Sequence, residues 1–115
     1  MRLSGEGKLL RIFLGEGDRV EGQQLFEAIV HLARSKGLAG ATVLRGVEGF
    51  GAHSRIHKSA ILELSEDLPI LIEIVDTSEK VEALIPEIDA LIEKANCGVM
   101  MTMEKVDVRK YAAGK

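Results

Sequence analysis

Arg45, His53, Arg55, His57 and Lys58 gather positive and imidazole side chains into one short stretch of a chain whose formal net charge is −3. Guanidinium, ammonium and imidazole groups donate hydrogen bonds to phosphate and carboxylate oxygens. Gly46, Gly49 and Gly51, interleaved with Glu48 and Phe50, free the backbone for turns closed to other residues and for close approach to a ligand. The segment 41–58, ATVLRGVEGFGAHSRIHK, thus starts as a strand, turns glycine-rich and ends basic. Its chemistry is that of binding a small anion: Arg45, Gly46, Glu48, Gly49, Phe50 and Gly51 form a base, with His53, Arg55, His57 and Lys58 on an arm above it. The competing reading is a surface loop whose charges serve solubility alone. No serine, cysteine or carboxylate pair has recognisable catalytic spacing, so no catalytic residue is assigned and an enzyme is not expected.

The elements that must position this stretch follow from periodicity. Residues 8–15 alternate as a strand, with Leu10, Ile12 and Leu14 on one face and Leu9, Arg11 and Phe13 on the other. Asp18 and Glu21 have the spacing of a capping box, and apolar residues recur at helical period from Leu25 to Ala33, which predicts a helix over 20–36. His31 reads as an ordinary, partly exposed helical histidine. Residues 40–49 are the second strand, the loop follows, and 60–64 form a third extended segment. Residues 69–76 are a nearly unbroken apolar run, as befits a central strand covered on both sides. A second helix follows Thr77 or Ser78 and keeps strict spacing to Ala95. Pro86 inside it predicts a kink or a restart at Ile85, and Asn96 with Gly98 ends it.

In the last strand, 99–109, Val99, Met101 and Met103 alternate on one parity and Val106 and Val108 on the other, which predicts a bulge at Glu104 or Lys105. The methionines there read as core or interface filler, and 111–115 as a frayed tail. The order β, α, β, β, α, β is the α+β, ferredoxin-like βαββαβ plan: an antiparallel sheet with two helices on one face. Leu9, Phe13, Leu71 and Val75 then fall on the other face, too apolar for water, which implies a homo-oligomer.

The 115 residues suit one domain, with its core over about 8–109 and no internal repeat. Hydrophobic residues at 46% and charged residues at 29% describe a globular chain. Apolar runs are too short to span a bilayer and the start lacks the pattern of a signal peptide, so a cytoplasmic protein is expected. The single cysteine, Cys97, cannot form an internal disulfide and reads as a small residue filling a helix-to-strand turn. A net negative charge argues against general nucleic-acid binding, and 3% aromatic residues against an RNA-recognition module, which shares the element order but stacks bases on aromatics.

The element order, the position of the loop and the run RGVEGFGAHSRIHKSAILELSEDLPILIEIVD over 45–76 resemble a family of small proteins similar to the PII signal-transduction proteins. That resemblance implies a trimer, a loop after the second strand that contacts a target such as a transporter or enzyme, and effector clefts between subunits at the loop's base. In the PII proteins the effectors are adenine nucleotides and 2-oxoglutarate, so an adenine nucleotide is the implied ligand. Their glycine- and lysine-rich turn between the second helix and the last strand is here only Asn96, Cys97 and Gly98. The loop also lacks the tyrosine that some PII proteins have modified. Recognition is left to the base and arm of the 45–58 stretch.

Two alternatives rest on weaker resemblances. The plan is similar to that of the CutA proteins, a metal-binding trimer in which His53 and His57 would be the ligands to consider. The string RGVEGFGAHSR resembles the phosphate-cradling loop of the acylphosphatases, although it follows the second strand rather than the first.

Overall fold

Alternation of apolar residues produces two long central strands, and their even-numbered side chains make the core. The computed structural model describes residues 5–50, 57–58, 67–112 and 114. Strand β1 (Gly5–Gly15) leads into a hairpin of β2 (Arg19–Val20) and β3 (Gln23–Gln24), then helix α1 (Leu25–Ser35). Strands β4 (Thr42–Arg45), β5 (Glu48–Gly49), β6 (His57–Lys58) and β7 (Pro69–Asp76) precede helix α2 (Ser78–Ala95) and the last strand, β8 (Met100–Val108). The main sheet runs β4-β7-β1-β8 with every neighbour antiparallel. This is the expected ferredoxin-like arrangement.

One face of the sheet is dry. Leu10 and Ile12 of β1 and Ile72 and Ile74 of β7 are buried under Leu25, Ile29 and Ala33 of α1 and Val81, Leu84 and Ile88 of α2. Each such leucine, isoleucine or valine contributes about 1.5–3 kcal/mol by leaving water, so this layer holds the two helices to the sheet. Thr77 caps α2 by accepting the Lys80 N–H at 3.3 Å, and Asn96 closes it in a left-handed conformation at φ 56°. The helix is continuous through Pro86 rather than restarting at Ile85. Pro86 lies on the exposed side, where water can serve the carbonyl that loses its partner.

The first helix starts later than its periodicity suggests. Glu21 and Gly22 both take positive φ, 47° and 83°, which bends the chain into the β2–β3 hairpin instead of a first helical turn. No capping box forms: Asp18 Oδ2 accepts the Gly15 N–H at 2.9 Å, and α1 begins at Leu25 without a side-chain cap. The second strand is likewise shorter than expected. It ends at Arg45, and Glu48 and Gly49 pair instead with Lys58 and His57 in a separate ribbon. The extended segment expected over 60–64 lies outside the described residues.

No bulge interrupts β8, whose register against β1 is unbroken from Gly5↔Val108 to Phe13↔Met100. Its change of parity has another cause. Met101 and Met103 face the helices opposite Ile12 and Leu10, whereas Val106 and Val108 lie on the open face opposite Gly7 and Gly5. A Cβ on Gly7 would meet Asp76 O at 2.9 Å and Val108 Cγ2 at 3.2 Å, so Val108 fills the space that this glycine leaves.

The open face is banded. Leu44, Leu71, Phe13 and Met100 lie side by side across all four strands, with Phe13 at 40% and Met100 at 62% exposure. The next row is polar, Thr42, Glu73, Arg11 and Thr102. Arg11 donates to Glu73 at 2.9 Å and to Glu104 at 2.5 Å, and both bonds raise the guanidinium pKa further, Glu73 the more. Leu9 and Val75 make the row beyond. The tail is held at its start, since the Tyr111 hydroxyl donates to Ala39 O at 3.1 Å. The Ala39 N–H donates in turn to Oδ2 of Asp76, a fully buried carboxylate.

Candidate functional site

Where β4 ends, residues of β1, β4, β5, β7 and β8 converge on one cavity of about 760 Å³. Its apolar wall comes from Phe13, Leu44, Leu71 and Met100, the outermost row of the open face, joined by Val99 and by Phe50 at the start of the loop. Its polar groups among the described residues are Arg45, Glu48 and Asp67. The size falls in the range of small-molecule sites, and an apolar lining with a few polar groups is the usual composition of one.

The backbone path of the loop's base depends on Pro69. Gly46 donates its N–H to Pro69 O at 2.7 Å. A Cβ on either Gly46 or Gly49 would lie 3.0 Å from Pro69 Cγ. Neither glycine has a positive φ. Their service is therefore close approach to the proline ring, not a turn closed to other residues.

Arg45 points across the cavity mouth to the turn after β1, where its Nη2 donates to Glu16 Oε2 at 2.6 Å. That turn is dense in carboxylates. Asp18 Oδ2 takes the Gly15 N–H, and Asp67 Oδ1 takes the Gly17 N–H at 3.0 Å. The base is thus less cationic than its sequence suggests, because its one arginine faces an acid.

Of the residues singled out from the sequence, Arg45, Gly46, Glu48, Gly49 and Phe50 all line this cavity. His57 and Lys58 return beside it as the ribbon partners of Gly49 and Glu48. Gly51, His53 and Arg55 lie outside the described residues. Among the described residues no cluster of three or more histidine, cysteine or acidic side chains could hold a metal ion. Phe13 and Leu71 were legible as a strand face but not as a cavity wall, Leu44 and Met100 were not placed on that face, and no spacing rule links Glu16 to Arg45.

Residues 7–108 match the sequence profile of one family, DUF190, described as Uncharacterized ACR. The chain belongs to the DUF190 family. A UPF0166 protein from Aquifex aeolicus is 36% identical to this DUF190 chain over 101 residues, covering 88% of it and 91% of the relative. A second UPF0166 protein, from Methanocaldococcus jannaschii, is 34% identical over 88 residues, 76% of this chain and 81% of that one. Among solved structures, CPII, a nitrogen regulatory PII-like protein from Thiomonas intermedia K12 bound to ADP, AMP and bicarbonate, superposes with a TM-score of 0.69. The match covers 91% of this chain and 90% of that one at 19% identity. The DUF190 chain therefore has the PII-like fold.

Cys97, in the turn between α2 and β8, lies close to the same acidic turn. Burial pushes its thiol pKa up, and the neighbouring Asp18 pushes it further, because both disfavour the thiolate. Its Sγ donates to Ala95 O at 3.4 Å. His31 is exposed on α1, remote from the cavity lining. No helix among the described residues is long and apolar enough to cross a membrane.

Proposed function

We propose that this protein is a non-enzymatic, PII-like regulator that binds a small anionic effector, an adenine nucleotide first among them, at the base of the loop after β4. The observation that carries the reading is the make-up of the cavity. Phe13, Phe50, Leu44 and Met100 offer flat and flexible apolar surface for a heteroaromatic base, beside a guanidinium suited to a phosphate. The remaining cations, His53, Arg55, His57 and Lys58, follow this base in the sequence. The adenine nucleotides bound to CPII support the choice of probe.

The apolar row of the open face supports association of subunits, as a homotrimer, in which a neighbour completes each cleft. The loop then reports occupancy to a target protein such as a transporter or enzyme. Phe13 and Leu71 take part in both roles, which couples assembly to binding.

The test is thermal unfolding of the full chain with ADP, AMP and ATP at millimolar concentration, with calorimetry for any that act and light scattering for subunit number. A ligand held only by the folded state stabilises it by about 2.7 kcal/mol at a hundredfold excess over Kd, a readily measured rise in Tm. Absence of any shift across the three nucleotides refutes the adenine-nucleotide reading. A monomer at micromolar concentration refutes the cleft between subunits.

A further inference from the structure

Glu16 sits in the turn after β1, with its side chain 15% exposed, and directs a carboxylate oxygen 2.6 Å from Arg45 Nη2. Among the described residues lining the cavity, Arg45 is the only cation. Its side chain is 59% exposed, so the guanidinium has room to turn toward the cavity. Glu16 has less freedom. Its carbonyl accepts from Gln24 Nε2 at 3.2 Å and its N–H donates to Leu68 O at 2.8 Å, which fixes the backbone beneath the carboxylate.

The geometry points to Glu16 as a resident competitor for the effector: its carboxylate occupies Arg45 in the ligand-free protein, and a bound phosphate or carboxylate takes its place. The inference rests on reading the cavity as an anionic-effector site. Arg45 reaches Glu16 through Nη2, across the cavity mouth, and a guanidinium turned into the cavity to fork an effector anion gives up that contact, so binding is an exchange of partners. That exchange has a mechanical side. The Arg45–Glu16 pair ties the end of β4, and hence the start of the loop, to the turn after β1; an effector that captures Arg45 unties it. A ligand shifts such an equilibrium only by its differential affinity for the two arrangements, and Glu16 sets that difference. Exposed and half-exposed ion pairs are modest, so the competition sets a threshold concentration without abolishing binding.

The partner exchange is tested with a double-mutant cycle on the full chain, with ADP as the probe in calorimetry. Glu16→Gln keeps the shape of the side chain and removes its charge, and should bind ADP about fivefold more tightly than wild type. Arg45→Gln should bind more weakly, and in that background Glu16→Gln should change nothing. A fivefold gain that persists without Arg45 would mean a general field effect of the carboxylate and would overturn the exchange, as would equal affinity of Glu16→Gln and wild type. Hydrogen exchange without ligand gives a second, independent readout. Glu16→Gln should speed exchange of the amides at 46–49, and unchanged protection there overturns the tie. If no variant binds ADP, the nucleotide reading falls on its own, while the exchange experiment still decides the tie.

Discussion

Asp76 is the most consequential polar side chain in the core, and its removal is open to calculation. The residue is fully buried at the end of β7, where Oδ2 accepts the Ala39 N–H at 2.8 Å and Oδ1 accepts the Thr77 N–H at 2.6 Å. Asp76→Ala leaves two backbone donors without partners, at about 1–3 kcal/mol each. It also relieves the cost of burying a carboxylate, which offsets part of that loss. A net destabilisation of about 3 kcal/mol is expected, equivalent to roughly 12 °C in Tm for a domain of this size. Asp76→Asn keeps one acceptor oxygen and should lose about half as much. Tyr111→Phe is the matched control, because it removes the bond to the other backbone group of the same residue, the Ala39 carbonyl, from a side chain 37% exposed. Water can replace that donor, so the cost should be about 0.5 kcal/mol. Urea denaturation monitored by far-UV circular dichroism separates these values. If Asp76→Ala costs less than about 1 kcal/mol, or no more than Tyr111→Phe, burial does not control the worth of these bonds.

Two further outcomes follow from contacts around the cavity. Gly46→Ala should destabilise the protein by about 1 kcal/mol in the same denaturation assay, because its Cβ would come within 3.0 Å of Pro69 Cγ. Pro69→Ala in that background should recover most of the loss; failure to recover it would place the strain elsewhere. Alkylation of Cys97 should begin at a higher pH than for a free thiol, since burial and Asp18 both raise its pKa. Asp18→Asn, which keeps an oxygen for the Gly15 N–H, should move that onset down, and a pH–rate profile with iodoacetamide measures both.

Periodicity made the two helices, the central strands and the division of their residues between faces legible, because alternation at Leu10, Ile12, Ile70, Ile72 and Ile74 has one physical solution. Local backbone conformation was less legible. Asp18 and Glu21 satisfy the spacing of a capping box, yet Gly22 allows a hairpin turn that periodicity does not register, and Asp18 finds its N–H at Gly15. The parity change in β8 was visible but misleading, because its cause is a pair of glycines in the adjacent strand rather than an extra residue in its own. At the site, the loop's base was found from residue type alone. Most of the cavity wall, Phe13, Leu71, Val99 and Met100, and the acid facing Arg45 come from residues more than 25 positions away in sequence, and only the folded sheet juxtaposes them.

The banding of the open face has a consequence for assembly errors. Its apolar row through Phe13 and its charged row through Arg11 are one strand repeat apart, about 6.8 Å. A partner surface displaced by that repeat would seat its hydrophobic groups on Arg11, Glu73 and Glu104 and strip water from a charge network that gains no new partners. In the assembly proposed above the face would act as a ruler, tolerating one alignment and penalising its nearest neighbours, so mispaired copies should separate faster than they accumulate.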